Sequence, residues 1–296
     1  MNWQPPIHRS LIGASHRRKG IVCQDYSLTA SFRSRSGVPI KLMAVADGHG
    51  GKRYWRSHVG SKLACEIAIQ QARKELGKRL LSWSAPSSSS LANWHQWLKR
   101  ELPGKIVQDW RMAVANEWQK FEKSAEQEAE GFSLYTYGST LGLVVLTPHW
   151  WGCAGIGDWD LARIKMNATE ASSNAELINQ EDSFERPGES TFSLCKSDAL
   201  LHFAERSSVQ SIDPDERLFA LMLCTDGIRK SCASDDDFLA LAEYLVSEAS
   251  GSGADGESTA LDVGLNRITT EGSGDDVSVA IDIHGQLKPE SEAEAK

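Results

Sequence analysis

The chain contains no Cys-x-x-Cys pair, so a zinc ribbon is not expected from its six cysteines, Cys23, Cys65, Cys153, Cys195, Cys224 and Cys232. It has no apolar stretch near the ~20 residues needed to cross a bilayer, and no apolar signal-peptide region. A membrane partner is therefore not expected. Reduced, partly buried thiols in a cytoplasmic protein are. Concentrated positive charge is also missing. The formal net charge is −8, the basic residues are scattered, and the one dense run, Arg17-Arg18-Lys19, reads as a solvated turn. A nucleic-acid partner is excluded on that ground. There is no internal repeat.

What is present is enough apolar material for a large core: 41% hydrophobic residues in a chain of 296. Five short apolar runs bounded by Gly, Asp, Pro or Ser predict strands over 40–47, 139–147, 150–158, 217–226 and 276–283. "TPHW" between the second and third predicts a tight antiparallel hairpin. Helices are expected over 53–76, where Val59, Leu63 and Ile67 recur, and over 105–122, where Ile106, Trp110, Val114 and Trp118 recur. A third begins at the acidic "SDDD" and covers 235–247, and a weaker one covers 257–268. Residues 83–94 read as a Ser-rich loop, 168–190 as a polar surface excursion and 251–258 as flexible punctuation. Because the strands span 40 to 283, their pairings are long-range. One domain over 1–285 is expected, followed by a charged, flexible tail at 286–296.

The acids fall in a pattern. Asp47, Asp158 and Asp226 each end an apolar run, Asp275 precedes one, and each stands beside glycine: "ADGHGG", "GIGDWD", "CTDGIR", "GSGDDV". Carboxylates gathered on one rim repel one another unless a cation neutralises them. An all-oxygen set suits a hard cation, Mg²⁺ or Mn²⁺. The wide spacing is unlike an EF-hand, whose ligands share one loop.

These stretches resemble the metal-dependent serine/threonine protein phosphatases, the PPM or type 2C family. The motifs are "CQDYS", "VADGHGG", "GSTLGLVVL", "GIGDWDLARI", "LCTDGIRKS" and "GDDVSVAI", in the family's order, across roughly residues 10 to 285. The resemblance implies an α+β fold, a four-layer α-β-β-α sandwich of two antiparallel sheets with helices on both outer faces. It implies hydrolysis of phosphoserine and phosphothreonine in proteins by a hydroxide held between two Mn²⁺ or Mg²⁺ ions, with a third ion conceivable. Asp47 would bridge two metals and Gly48 would lend its carbonyl. Asp226 and Asp275 would complete the first metal's shell, and Asp158 matches the position of a third metal. Asp25 would orient the attacking water, and His49 would protonate the leaving serine oxygen. No cysteine begins a Cys-x₅-Arg loop, so a phosphocysteine intermediate is not expected. The partners implied are phosphoproteins and an opposing serine/threonine kinase.

The chain departs from the family pattern in three places. Gln24 stands where the family has Glu, so one charge is lost and Gln24 would position a water. The family's upstream phosphate-binding arginine is Gly20 here. Arg17, Arg18 or His16 would supply that contact, and the residues do not choose between the arginines. Trp159-Asp160 replace Ser-Arg and are expected to shape the neighbouring surface. Gln24 and the missing arginine favour a rival reading, a pseudophosphatase acting as a binding or regulatory module. The intact Asp47, His49, Asp226 and Asp275 oppose it. A metal-dependent hydrolase of a small phosphorylated metabolite is a further alternative.

Overall fold

In a strand, successive side chains point to opposite faces, so a strand covered on both faces reads as a continuous apolar run. The computed structural model, which describes residues 4–165, 174–178, 192–213, 219–250 and 259–285, shows why five such runs stand out here. The described strands are β1 (Ile7–Leu11), β2 (Tyr26–Arg33), β3 (Pro39–Ala46), β4 (Leu141–Leu146), β5 (Trp150–Ile156), β6 (Asp160–Lys165), β7 (Asn174–Leu177), β8 (Ser207–Ser211), β9 (Phe219–Cys224) and β10 (Val277–His284). They form two five-stranded sheets, ordered β1-β10-β9-β6-β7 and β2-β3-β4-β5-β8, with antiparallel pairing throughout.

The described helices are α1 (Ala14–Lys19), α2 (Ser57–Lys78), α3 (Ser88–Gln96), α4 (Leu102–Lys120), α5 (Ala125–Glu130), α6 (Ala199–Glu205), α7 (Asp226–Arg229), α8 (Asp235–Ser250) and α9 (Thr259–Glu271). Side chains of β3 sort by parity. Ile40, Leu42, Ala44 and Ala46 meet the apolar stripes of α2 and α4, while Met43 and Val45 face the other sheet. On β9, Ala220, Met222 and Cys224 pack under α8 and α9, and Leu221 and Leu223 face inward. Three stacked cores follow, and they define the expected four-layer sandwich.

Each of the five apolar runs is one of β3, β4, β5, β9 and β10, and the "TPHW" turn closes on the Thr147 N–H donating to Trp150 O at 2.9 Å. The Ser-rich stretch is not all loop. Ser87 accepts from the Ser90 N–H and starts α3. The 168–190 excursion contains β7 and Ile178, and its other residues lie outside those described, as do 251–258 and the tail 286–296. Trp159 does not shape the surface. It is fully buried between the sheets, where a Cβ at Gly142 or Gly155 would stand 2.8 or 2.2 Å from its indole. Those glycines are opposite each other in the β4–β5 register, so the two together leave the space the indole fills. Asp160, also buried, opens β6 and accepts from Arg229 at 3.1 Å. No helix among the described residues is long and apolar enough to cross a membrane.

Candidate functional site

Antiparallel pairing brings the ends of alternate strands to one rim. Tyr26 faces Ala46, Leu141 faces Ile156, Val279 faces Cys224 and Leu11 faces Val277. Just beyond these pairs Asp25, Asp47, Asp158 and Asp226 therefore meet, with Asp275 further out. Carboxylate oxygens of Asp47, Asp158 and Asp226 lie within 4.8 Å of one another. Asp25 is in hydrogen-bond contact with Asp47, and Asp158 with Asp226.

Each acid is fixed from its own strand end. The Asp47 N–H donates to Thr140 Oγ1 at 2.9 Å, and the Thr140 N–H returns a bond to Asp47 O at 2.9 Å. Asp25 accepts from Thr225 Oγ1 at 2.6 Å, and that hydroxyl in turn accepts from the Ser278 N–H at 2.9 Å. Asp226 is the first residue of the short α7, and its Oδ2 is held by the Lys230 ammonium at 2.6 Å. Gly48 bonds to Gln24 O at 3.1 Å, and a Cβ there would stand 2.7 Å from that oxygen and 2.8 Å from the Ser57 backbone. Close chain packing is thus one reason for glycine after Asp47.

The electrostatics are unfavourable without a cation. Burial raises Asp47 well above the usual carboxylate range, and Asp25 and Asp158 push it further. Burial likewise raises Asp25, against the pull of Thr225. Asp226 is pushed up to about 9 by burial, then by Asp47 and Asp158, although Lys230 opposes the shift. Carboxyls in mutual contact must share protons or hold cations. The donors are all oxygen, and no thiol or imidazole joins the three-carboxylate cluster, so the residues fit Mg²⁺ or Mn²⁺.

The other expected site residues fall in distinct places. His49 lies beside the cluster, its N–H bonded to Gly138 O at 3.1 Å and its ring edge-on to Tyr54 at 5.1 Å between centroids. Burial lowers His49 to about 4, with Asp158 opposing and Lys196 adding to the shift. Asp275 stands further out, with its Oδ2 3.6 Å from the Lys230 ammonium. The Gln24 side-chain amide donates to Ser57 Oγ at 2.9 Å, and the Gln24 backbone carbonyl accepts from Ser61 Oγ at 2.5 Å. His16 turns inward, with Nδ1 2.9 Å from Asp276 Oδ2. Arg17 donates to Ile12 O at 3.3 Å on the exposed face of α1, and Arg18 is also exposed.

Sequence reasoning passed over Asp276 and Lys230. Asp276 is buried and accepts from the Gly13 and Gln24 N–H groups, each at 2.6 Å, as well as from His16. It ties the α1 turn and the Asp25 strand to β10. The doublet "DD" was the available signal, since only one of two adjacent acids can face the rim. Lys230 sits four residues after Asp226, and its ammonium is 2.6 Å from Asp226 Oδ2. The positively charged "RK" after the motif hides that contact, because Arg229 points elsewhere, to Asp160 and Asp235.

Comparisons with known proteins agree with this geometry. The family model described as protein phosphatase 2C matches residues 12–262. A serine/threonine phosphatase of S. agalactiae superposes with a TM-score of 0.55 at 15% identity, covering 95% of this chain and 99% of that one. PppA, a regulatory component of the T6SS in Pseudomonas aeruginosa, gives 0.52 at 18% identity over 95% and 98%. A serine-threonine phosphatase 2C from Toxoplasma gondii gives 0.51 at 14% identity over 95% and 100%. At these identities the superpositions speak for the fold. No curated protein sequence matches the chain. The family model covers most of the length, and on that match this chain belongs to the protein phosphatase 2C family.

Proposed function

We propose that the chain hydrolyses phosphoserine and phosphothreonine esters of proteins, with Mn²⁺ or Mg²⁺ at the rim, and that residues 1–285 act as one catalytic domain. The observation that carries the reading is the meeting of Asp25, Asp47, Asp158 and Asp226 on one edge of the sandwich. Bound divalent ions supply a more acidic water and screen the phosphate's charge. Asp47, Asp226, Asp275 and the Gly48 carbonyl would hold the ions, and Asp158 would offer a further carboxylate. Asp25, steadied by Thr225, accepts a hydrogen bond from the attacking water. Gln24 supports that side of the site through Ser57 and Ser61. His49 gives its proton to the departing serine oxygen, a poor leaving group otherwise. Burial works against the imidazolium, and the incoming phosphate dianion favours it. Arg17 or Arg18 would supply the positive charge for the phosphate, and His16 would reach it only by leaving Asp276. The substrates are phosphoproteins in the cytoplasm, opposed by a serine/threonine kinase.

One observation favours the non-catalytic reading: a lysine ammonium already sits on Asp226. One assay separates the two. Hydrolysis of a phosphoserine peptide and of p-nitrophenyl phosphate is followed with Mn²⁺, with Mg²⁺ and with a chelator, for wild type and His49→Ala. The reading expects activity with either ion and none in chelator. It expects His49→Ala to lose roughly 10²–10⁴ on the peptide and much less on the nitrophenyl ester, whose leaving group needs little protonation. A folded, ion-loaded wild type with no turnover supports the binding module instead.

A further inference from the structure

Lys230 follows α7 directly, and its N–H donates to Asp226 O at 2.8 Å. A side chain four residues along a helical turn lies over the residue that began it. The ammonium accordingly reaches back to Asp226 Oδ2 at 2.6 Å, with Asp275 Oδ2 on its other side at 3.6 Å. It stands between the two acids assigned above to one ion. The neighbouring cation cannot take its place. Arg229 is committed to Asp160 at 3.1 Å and Asp235 at 2.7 Å. The Lys230 side chain is 51% exposed, so its stem has open solvent to move into.

A divalent ion bound through Asp226 needs an oxygen at about 2.0–2.2 Å. An ammonium 2.6 Å from that same oxygen would then lie within a few ångströms of the ion. Two cations that close repel, and the more mobile one leaves. We propose that Lys230 is a built-in competitor for the cation position framed by Asp226 and Asp275. It offsets part of the charge of those acids in the metal-free protein, and it swings into solvent when an ion binds there. The price of ion entry is then partly the loss of this contact, which makes the position weaker than its carboxylates alone would be. The inference rests on the metal-site reading and adds a residue that tunes it.

Lys230→Met removes the charge and keeps the length of the stem. Lys230→Arg keeps the charge. Calorimetric titration with Mn²⁺ alone, on chelator-stripped full-length protein, is combined with thermal unfolding in chelator and in saturating Mn²⁺. Lys230→Met is expected to bind one Mn²⁺ roughly tenfold more tightly, since a like charge beside the ion is gone. It is expected to melt below wild type in chelator and at or above wild type in Mn²⁺. Lys230→Arg is expected to stay near wild type in both measurements. Equal or weaker Mn²⁺ affinity in Lys230→Met overturns the proposal, and so does a melting change of the same sign in both conditions. Unchanged Mn²⁺ affinity with weakened binding of inorganic phosphate would make Lys230 a substrate contact and also overturns it. If folded wild type binds no Mn²⁺, the metal-site reading falls as well. A wild type that binds normally beside an unaltered Lys230→Met retires this inference alone.

Discussion

Two places in the molecule bury acids, and they treat them differently. Between the sheets, Asp282 of β10 meets Lys41 of β3 at 2.6 Å, with side chains 1% and 2% exposed. Burial raises Asp282, and Lys41 pulls it back. There is one acid and one base, and the contact joins the two layers. At the rim, Asp25, Asp47, Asp158 and Asp226 crowd together, and the ammonium bonded there, Lys230, is half-exposed and sits to one side. A fold that can supply a buried lysine 2.6 Å from one carboxylate does not balance four carboxylates at its edge. The excess is a standing cost that an external cation removes. Asp276 shows a third treatment. It is buried a few residues from the rim, yet two backbone N–H groups and His16 satisfy it without a metal.

Substitutions on the two sides should behave oppositely. The largest effect is expected at the rim, in function. Asp47→Asn should abolish phosphatase turnover and weaken Mn²⁺ binding, while melting in chelator at or above the wild-type temperature, because removing one charge relieves its neighbours. Calorimetric titration and unfolding in chelator check both halves. If the variant is clearly less stable without metal, the rim is not an uncompensated cluster.

Between the sheets the sign reverses. Lys41→Met should destabilise by about 3–5 kcal/mol, because it strands Asp282 where water cannot reach. Replacing Asp282 by Leu as well should recover most of that loss. Urea unfolding of the single and double variants measures it, and rim metal binding should not change. A single variant as stable as wild type would mean that Asp282 is neutral in the folded protein and that the comparison fails.

How much of this was legible depended on burial. β3, β4, β5, β9 and β10 are covered on both faces and announce themselves as apolar runs. β1, β2, β7 and β8 are the outermost strands of their sheets. With one neighbour each they carry polar residues such as "SSVQS", so no run or clean alternation marks them. β6 lies inside the "GIGDWDLARI" motif, but its acid and basic residues break any apolar run. At the site, acid beside glycine at strand ends carried Asp47, Asp158 and Asp226. The partners were not legible. That Thr225 would hold Asp25, and His16 would hold Asp276, depends on contacts 200 and 260 residues apart in the chain. Trp159 was misread for a related reason. Its place between the sheets is made by two glycines on other strands, and no local pattern reports that.

The central claim is that the rim carries more buried negative charge than the protein itself balances. Thermal unfolding between pH 6.5 and about 8, in chelator and in Mn²⁺, tests it most directly. His49, lowered to about 4, and His8 and His58, also lowered by burial, are protonated less in the native state than in the unfolded chain near pH 6.5, so they oppose the rim's trend only at the low end of this window. The rim carboxyls are raised, with Asp226 up to about 9, so the native state holds protons there that the unfolded chain has already lost. Stability must then fall as pH rises. A divalent ion replaces those protons, and its stabilisation should grow with pH as the competition from protons fades. The predicted result is a melting temperature that declines with pH in chelator, and a Mn²⁺-induced rise that is larger at pH 8 than at pH 6.5. A melting temperature that is flat in chelator and unmoved by Mn²⁺ across the window would contradict the account.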